Sequence, residues 1–411
     1  MLVLSNCLKF CVLIIFCIIN IGIVTANDIT PDDHLHQLHA TNANKGYEDA
    51  LISIIESIQK QNLEIALDKV ELHLATFPKS REGHLLKADI LQAMSGALNG
   101  LGQHDLIPPE DLKKFKHQLR NRLKHIGEEA DKAHSLFPAS LIALGEHKHL
   151  MVADMTNGRL YLYENIDGKP KLIRDYYLSI GSEGYGKEIE GDNRTPVGVY
   201  EINQYIEGKK LPDLYGKGAF PVNYPNEYDR FLKRTGYGIW LHGTPSNTYA
   251  RAPWASEGCF VLSNDDLLDI GQYISVEERT PVILSDTIEW LDEAQYKERQ
   301  SQYMAILNQW KQDWEALDVN AYLKHYSSEN FNFGSDDYNA WAKRKYQVNK
   351  AKTFIQLDFD IQSLFVYPGD SDMFVVNFKQ RYLSNNYSGE SQKKQYWQKD
   401  SRGQWKIIFE G

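Results

Sequence analysis

The sequence predicts a multi-domain α+β protein. It would have a helical N-terminal domain, a mostly-β middle domain and an α+β, cone-like C-terminal domain. Three observations predict it. The chain has 411 residues, and domains commonly take about 100–200 residues each. Its apolar pattern changes from helical to alternating spacing after Gly145. A Trp- and Tyr-rich amphipathic segment at 295–320 then precedes a last set of alternating segments, the order expected of an α+β unit.

Residues 1–26 read as a secretory signal peptide. They carry Lys9 and no acid, an apolar run from Phe10 to Val24, and small residues before Ala26. Uncleaved, the run would serve as an inner-membrane anchor, although it is short of the about 20 residues a span needs. Residues 27–45 are polar, and His34, His36 and His39 there lack the converging partners of a metal site. The helical domain is assigned to 27–145. Tyr47, Ala50, Leu51, Ile54, Ile55 and Ile58 recur at helix spacing. Leu63, Ala66, Val70, Leu74 and Phe77 form a second stripe, which Pro78 stops. A third stripe runs from about 82 to 98, and Pro108-Pro109 opens a fourth. Helices joined by short turns resemble tetratricopeptide hairpins without a clear repeat. They suit a scaffold, a dimerising module or a site for an envelope partner.

The middle domain is assigned to 146–288. His149–Asp154 and Arg159–Tyr163 read as a hairpin around Thr156-Asn157-Gly158. Further strands are expected at 172–180, 197–203, 238–241, 260–262 and 281–284. Ser263 would cap a short helix with Asp265 and Asp266 in its first turn. The third domain, 295–411, continues as alternating segments at 353–361, 373–382, 392–398 and 405–410. Trp341, Tyr382 and Trp397 are candidates for lining a pocket there, but isolated aromatics are more often core.

The formal net charge is −10, which argues against nucleic acid or an anionic membrane surface as the main partner. Cys7, Cys11 and Cys17 lie in the signal, so the exported chain would keep one thiol, Cys259, and no internal disulfide. A lone thiol outside the cell is exposed to oxidation. Its bland explanation is a buried apolar filler.

The surroundings of Cys259 point elsewhere. A thiol is a nucleophile only as thiolate and needs a base or a cation beside it. His242 follows the apolar run Gly238-Ile239-Trp240-Leu241, and Cys259 precedes Phe260-Val261-Leu262. Pairing of these strands would bring both side chains to one rim of a sheet. The Gly243 carbonyl would hold the imidazole Nδ1–H and present Nε2 to sulfur. The backbone N–H groups of Gly258 and Cys259 would form an oxyanion hole. Between them, Tyr249, Arg251, Trp254 and Ser256 are placed in a substrate groove, with Arg251 suited to a substrate carboxylate or simply to solvent.

These residues carry a resemblance. His242-Gly243-Thr244 followed by Ser256-Glu257-Gly258-Cys259 resembles the nucleophile signature of the L,D-transpeptidase (YkuD-type) catalytic domain. Upstream, LMVADMTNGRLYLY resembles that family's first hairpin, and GSEGYGKEIEGDNRTPVGVYEI its Thr-Pro-x-Gly segment. The match covers about 148–286. Two positions depart from the pattern: Glu257 stands where the family usually has His, and Val261 where it has Arg or Asn. The three-part plan also resembles proteins that end in a nuclear-transport-factor-like domain, some of which are L,D-carboxypeptidases that trim tetrapeptides and set cell shape.

The resemblance implies a β-sandwich-like catalytic domain acting on peptidoglycan stem tetrapeptides. Cys259 would attack the carbonyl of meso-diaminopimelate and expel D-Ala, with His242 moving the proton. An amine acceptor would make the chain a transpeptidase, the leading expectation; water would make it an L,D-carboxypeptidase. No metal, nucleotide or other cofactor is required. The implied location is the periplasm of a Gram-negative-type bacterium. Two rivals remain. One is a non-catalytic wall-binding or scaffold protein. The other is serine chemistry at Ser57-Ile58-Gln59-Lys60, an S-x-x-K string lying on an amphipathic helix.

Overall fold

The computed structural model describes residues 43–96, 108–125, 130–331, 337–369 and 372–411. The signal segment and His34, His36 and His39 lie outside them.

Four helices open the described chain: Ala43–Gln59, Leu63–Thr76, Arg81–Met94 and Pro109–Lys124. Tyr47, Leu51, Ile54, Ala66, Val70, Leu86 and Ile90 form the core of the first three. These are the residues that helical periodicity places on one face. Ser80 caps the third helix by accepting from the Gly83 N–H. The S-x-x-K string has no catalytic geometry. The Ser57 hydroxyl is buried, donates to the Ser53 carbonyl and accepts from Lys69, whereas Lys60 faces solvent beside Glu56.

The middle domain is two sheets closed on one another. The larger has the order Lys169–Tyr177, Arg159–Ile166, His149–Asp154, Pro281–Ser285, Gly198–Glu201. All pairs are antiparallel except Pro281–Ser285, which runs parallel to His149–Asp154. The smaller has the order Phe260–Val261, Trp240–His242, Gly218–Pro221, Ile206–Glu207. Met151 and Ala153 point from the large sheet toward Leu241 and Phe260 of the small one. Their neighbours Leu150 and Val152 point the other way, against Val375, Tyr396 and Ile408 of the C-terminal domain. Both faces of that strand are covered, which is why it reads as an unbroken apolar run.

The C-terminal domain curls a long sheet around the helices Glu293–Glu315, Val319–Lys324 and Tyr338–Lys350. The strand order is Trp405–Glu410, Tyr387–Lys399, Met373–Ser384, Ile355–Val366, and then Leu141–Ala143. That last strand comes from before the catalytic domain and pairs antiparallel with Ile355–Val366, so the expected break at 145 falls just beyond a strand of the third unit. The chain also ties Phe137–Pro138 to Trp290–Leu291. Trp341 and Trp397 are buried in the cone's core, where Trp397 stacks on Phe374 at 5.6 Å, and Tyr382 packs at its margin.

A buried ionic cluster joins the helical domain to the catalytic one. Glu48 accepts from both Arg122 and Arg159 at 2.8 Å. Arg159 also grips Asp175, which His125 approaches from the helical side. Arg122 and Arg159 are almost wholly enclosed. Removing one partner from such a cluster strands a buried charge, at about 3–5 kcal/mol.

Candidate active site

The small sheet positions the two chemical residues. Leu241 pairs with Phe260 and His242 with Val261, in parallel. Leu241 and Phe260 point into the core. Side chains alternate along a strand, so His242 and, one residue before the paired strand, Cys259 both face the other way. The two are diagonal neighbours on one face, although seventeen residues separate them in the chain.

His242 is held firmly. Its Nδ1 lies 2.7 Å from the Gly243 carbonyl, and a carbonyl only accepts. Nδ1 therefore carries the proton and Nε2 is left as the base. Gly243 is required by space: a Cβ there would lie 2.2 Å from the Asn264 side-chain oxygen. Asn264 in turn accepts from the Lys217 N–H and donates to the Thr244 carbonyl. The Tyr215 ring meets the imidazole edge-on at 5.0 Å. Burial pushes the imidazole down to about 4, and the nearby Arg251 charge acts in the same direction.

Cys259 sits in a sharp turn. Gly258 before it has φ of +120°, and a Cβ would meet the Arg194 carbonyl at 2.8 Å, so glycine is demanded twice over. The thiol donates to the Gly238 carbonyl at 3.3 Å. Burial pushes it up to about 11, opposed by the Trp240 N–H, Arg251 and Lys187, while Glu257 adds to the rise. The resting pair is thus a neutral thiol beside a neutral imidazole. Glu257, the departure from the family signature, is exposed and contributes an unfavourable charge; Val261, paired with His242, is buried.

The other expected site residues separate. Arg251 is half-buried, and its charge is felt at both Cys259 and His242. Trp254 is 40% exposed and stands on the strand Trp254–Ser256, which pairs with Ile180–Gly181. Ser256 is a correction. Its hydroxyl is buried and bridges the turn, accepting from the Gly258 N–H at 3.2 Å and donating to the Cys259 carbonyl at 2.6 Å. It braces the turn that carries Cys259 and is closed off from solvent. The same bond engages the Gly258 N–H, one of the two donors expected in the oxyanion hole. Tyr249 is a second correction: it turns away from the groove and stacks on Tyr47 at 4.2 Å, a contact worth about 0.5–1.5 kcal/mol beyond its area.

Thr195, Tyr215 and Lys187 were not singled out as site residues. Thr195 is fully buried; its hydroxyl donates to the Gly258 carbonyl at 3.0 Å and accepts from the Gly181 N–H at 2.9 Å. Its place in the Thr-Pro-x-Gly segment was the available signal. Lys187 is fixed by Asp192 at 2.7 Å.

Chemically, the site offers a nucleophile, an oriented base, one backbone donor at the reacting position and a cation nearby. That set suits acyl transfer through a thioester. Among the described residues, no cluster of three or more His, Cys, Asp or Glu side chains could hold a metal ion.

Residues 148–284 match the family model of the L,D-transpeptidase catalytic domain. Residues 302–411 match that of the Cds6 C-terminal NTF2-like domain. Among solved structures, the chain is similar to Bd1075 of Bdellovibrio bacteriovorus, with 27% identity over 67% of this chain and 97% of that one and a TM-score of 0.59. It is also similar to the helical cell shape determining protein Pgp2 of Campylobacter jejuni, with 28% identity over 67% of this chain and 95% of that one and a TM-score of 0.55. A mutant form of Pgp2 aligns at 27% identity over 74% of this chain and all of that one, with a TM-score of 0.54. No curated protein matches the sequence.

Proposed function

We propose that this chain, an L,D-transpeptidase catalytic domain joined to an NTF2-like domain, is an exported cysteine enzyme that opens the meso-diaminopimelate–D-Ala bond of peptidoglycan stem tetrapeptides. The observation that carries the reading is the His242–Gly243 bond, which leaves Nε2 unprotonated on the face that Cys259 shares.

The neutral pair works by coupled proton transfer. As the sulfur attacks the carbonyl, its proton passes to Nε2. The Cys259 N–H stabilises the oxyanion, and the imidazolium returns the proton to the departing D-Ala amine. A thioester remains. His242 then takes a proton from the acceptor, the acceptor's oxygen or nitrogen replaces sulfur at the carbonyl, and the thiol is regenerated. Arg251 offers a partner for a substrate carboxylate.

We favour water as that acceptor, making the product a tripeptide and the enzyme an L,D-carboxypeptidase. The three-domain plan and the likeness to a cell-shape determining protein along most of its length support this reading. Transpeptidation, with a stem amine as acceptor, is the second reading; the family model itself favours it. The charge and signal pattern of residues 1–26 supports a periplasmic location. Incubation with purified disaccharide tetrapeptide followed by mass spectrometry tests both. Tripeptide alone is expected. Cross-linked dimer or amino-acid exchange would select the second reading, and processing that survives Cys259→Ala would overturn both.

A further inference from the structure

The stretch from Tyr249 to Trp254 lies inside the loop joining His242 to Cys259, and residues outside the catalytic domain hold it directly at both ends and, through Tyr177 of the catalytic domain, in the middle. At its start, the Tyr249 ring stacks on Tyr47 at 4.2 Å and meets Phe77 edge-on at 5.1 Å. The Tyr249 N–H donates to the Lys79 carbonyl at 3.4 Å. At its end, Trp254 meets His117 edge-on at 5.7 Å. In the middle, the Arg251 carbonyl accepts from the Tyr177 hydroxyl at 3.0 Å, and the Arg122 guanidinium lies over the Tyr177 ring, 3.8 Å from its centroid. Tyr47, Phe77, Lys79, His117 and Arg122 all belong to the helical domain. Arg122 is locked in turn by Glu48, which also binds Arg159 of the catalytic domain.

We propose that the helical domain is a structural part of the active site: it clamps residues 249–254 so that the Arg251 side chain is aimed at Cys259, with Tyr249 as the positioning residue. The loop has reason to need such a clamp. It supplies a charge to the reacting centre, yet the only hydrogen bond its Arg251 side chain makes among the described residues is a long one, from Nη1 to the Ala255 carbonyl at 3.4 Å. Electrostatic help of this kind depends on a fixed distance.

The inference deepens the acyl-transfer reading and rests on it for the turnover arm of its test, whereas the alkylation arm needs no substrate. The full mature chain is compared with Tyr249→Ala, Arg251→Ala, the double variant and Tyr249→Phe. Readouts are the second-order rate of Cys259 alkylation by iodoacetamide at pH 8, and kcat and KM on disaccharide tetrapeptide. Tyr249→Ala should slow alkylation about threefold, the net of about tenfold less thiolate and a more nucleophilic sulfur. It should lower kcat/KM about tenfold, and the double variant should be no worse than Arg251→Ala. Tyr249→Phe keeps the stacked ring and should restore both rates. Additive losses in the double variant, or unchanged alkylation in Tyr249→Ala, would overturn the clamp. If Tyr249→Ala unfolds, His117→Ala loosens the other end from a less buried position and is judged by the same rates. A wild-type chain inert toward muropeptides would sink the proposed reaction, while alkylation would still decide the clamp.

Discussion

The resting state of Cys259 yields the sharpest quantitative test, because the two readings of a Cys–His pair differ by orders of magnitude. With the thiol pushed up to about 11 and the imidazole down to about 4, about one molecule in 1,000 is thiolate at pH 8, against about one in four for a free cysteine near 8.5. The more basic sulfur is about tenfold more nucleophilic, given a Brønsted coefficient of about 0.4–0.5. Alkylation by iodoacetamide at pH 8 should therefore run about 20-fold slower than for free cysteine. The rate should climb about tenfold per pH unit from 7 to 10, without a plateau. His242→Gln should leave this profile nearly unchanged, since a neutral imidazole gives the sulfur no charge, yet abolish turnover. The assay is stopped-time labelling read by intact-protein mass. A plateau beginning below pH 7, with fast labelling at pH 6, would mean an imidazolium–thiolate pair and would refute the coupled transfer.

Three further outcomes follow from the geometry. Gly258→Ala drives a Cβ into the Arg194 carbonyl and should cost about 100-fold in kcat by displacing the nucleophile; a variant within a factor of two of wild type would contradict this. Thr195→Val leaves the Gly258 carbonyl and Gly181 N–H unpaired, which should cost about 1–3 kcal/mol in urea denaturation, while Thr195→Ser keeps both bonds and most of the stability. Asp266 is fully buried against Ser263, and burial pushes its carboxyl up to about 7. The folded chain then holds a proton that the unfolded chain has released, so stability falls as pH rises from about 4 to about 7 and stays low above it. Asp266→Asn should gain up to about 4 kcal/mol at pH 8 and nothing near pH 4; equal gains at both would point to packing instead.

Much of the architecture was legible where the pattern is long. His149–Asp154 and the first part of Arg159–Ile166, to Tyr163, declared themselves by apolar runs about the Thr156-Asn157-Gly158 turn signal, and the capped helix after Ser263 by its first-turn acids. The strand carrying His242 and the one that follows Cys259 were visible as short β-branched and aromatic runs. Gly218–Pro221 and Trp254–Ser256 were not, because three or four residues with glycine, proline or alanine carry no period. Tyr338–Lys350 was missed because few of its side chains, Trp341 and Asn349 among them, are buried. Within the site, residue type and position beside short strands singled out Cys259 and His242, which the structure places on one face of the small sheet. The same reading misassigned Tyr249 and Ser256, whose partners decide their roles. Ser256 turns inward onto its own turn, and Tyr249 faces aromatic rings from the far N-terminal helices, which no local spacing encodes.

The strand Leu141–Ala143 has a consequence for how this protein is made. It closes one margin of the C-terminal sheet but leaves the ribosome before the entire catalytic domain, so that sheet matures only when Ile355–Val366 returns to a segment formed long before. Cutting the gene at the catalytic domain's end would release a piece with the Leu364–Val366 end of that strand bare along its backbone donors and acceptors, an invitation to pair with another copy. Any expression of the third domain alone should carry residues 137–143 on a linker.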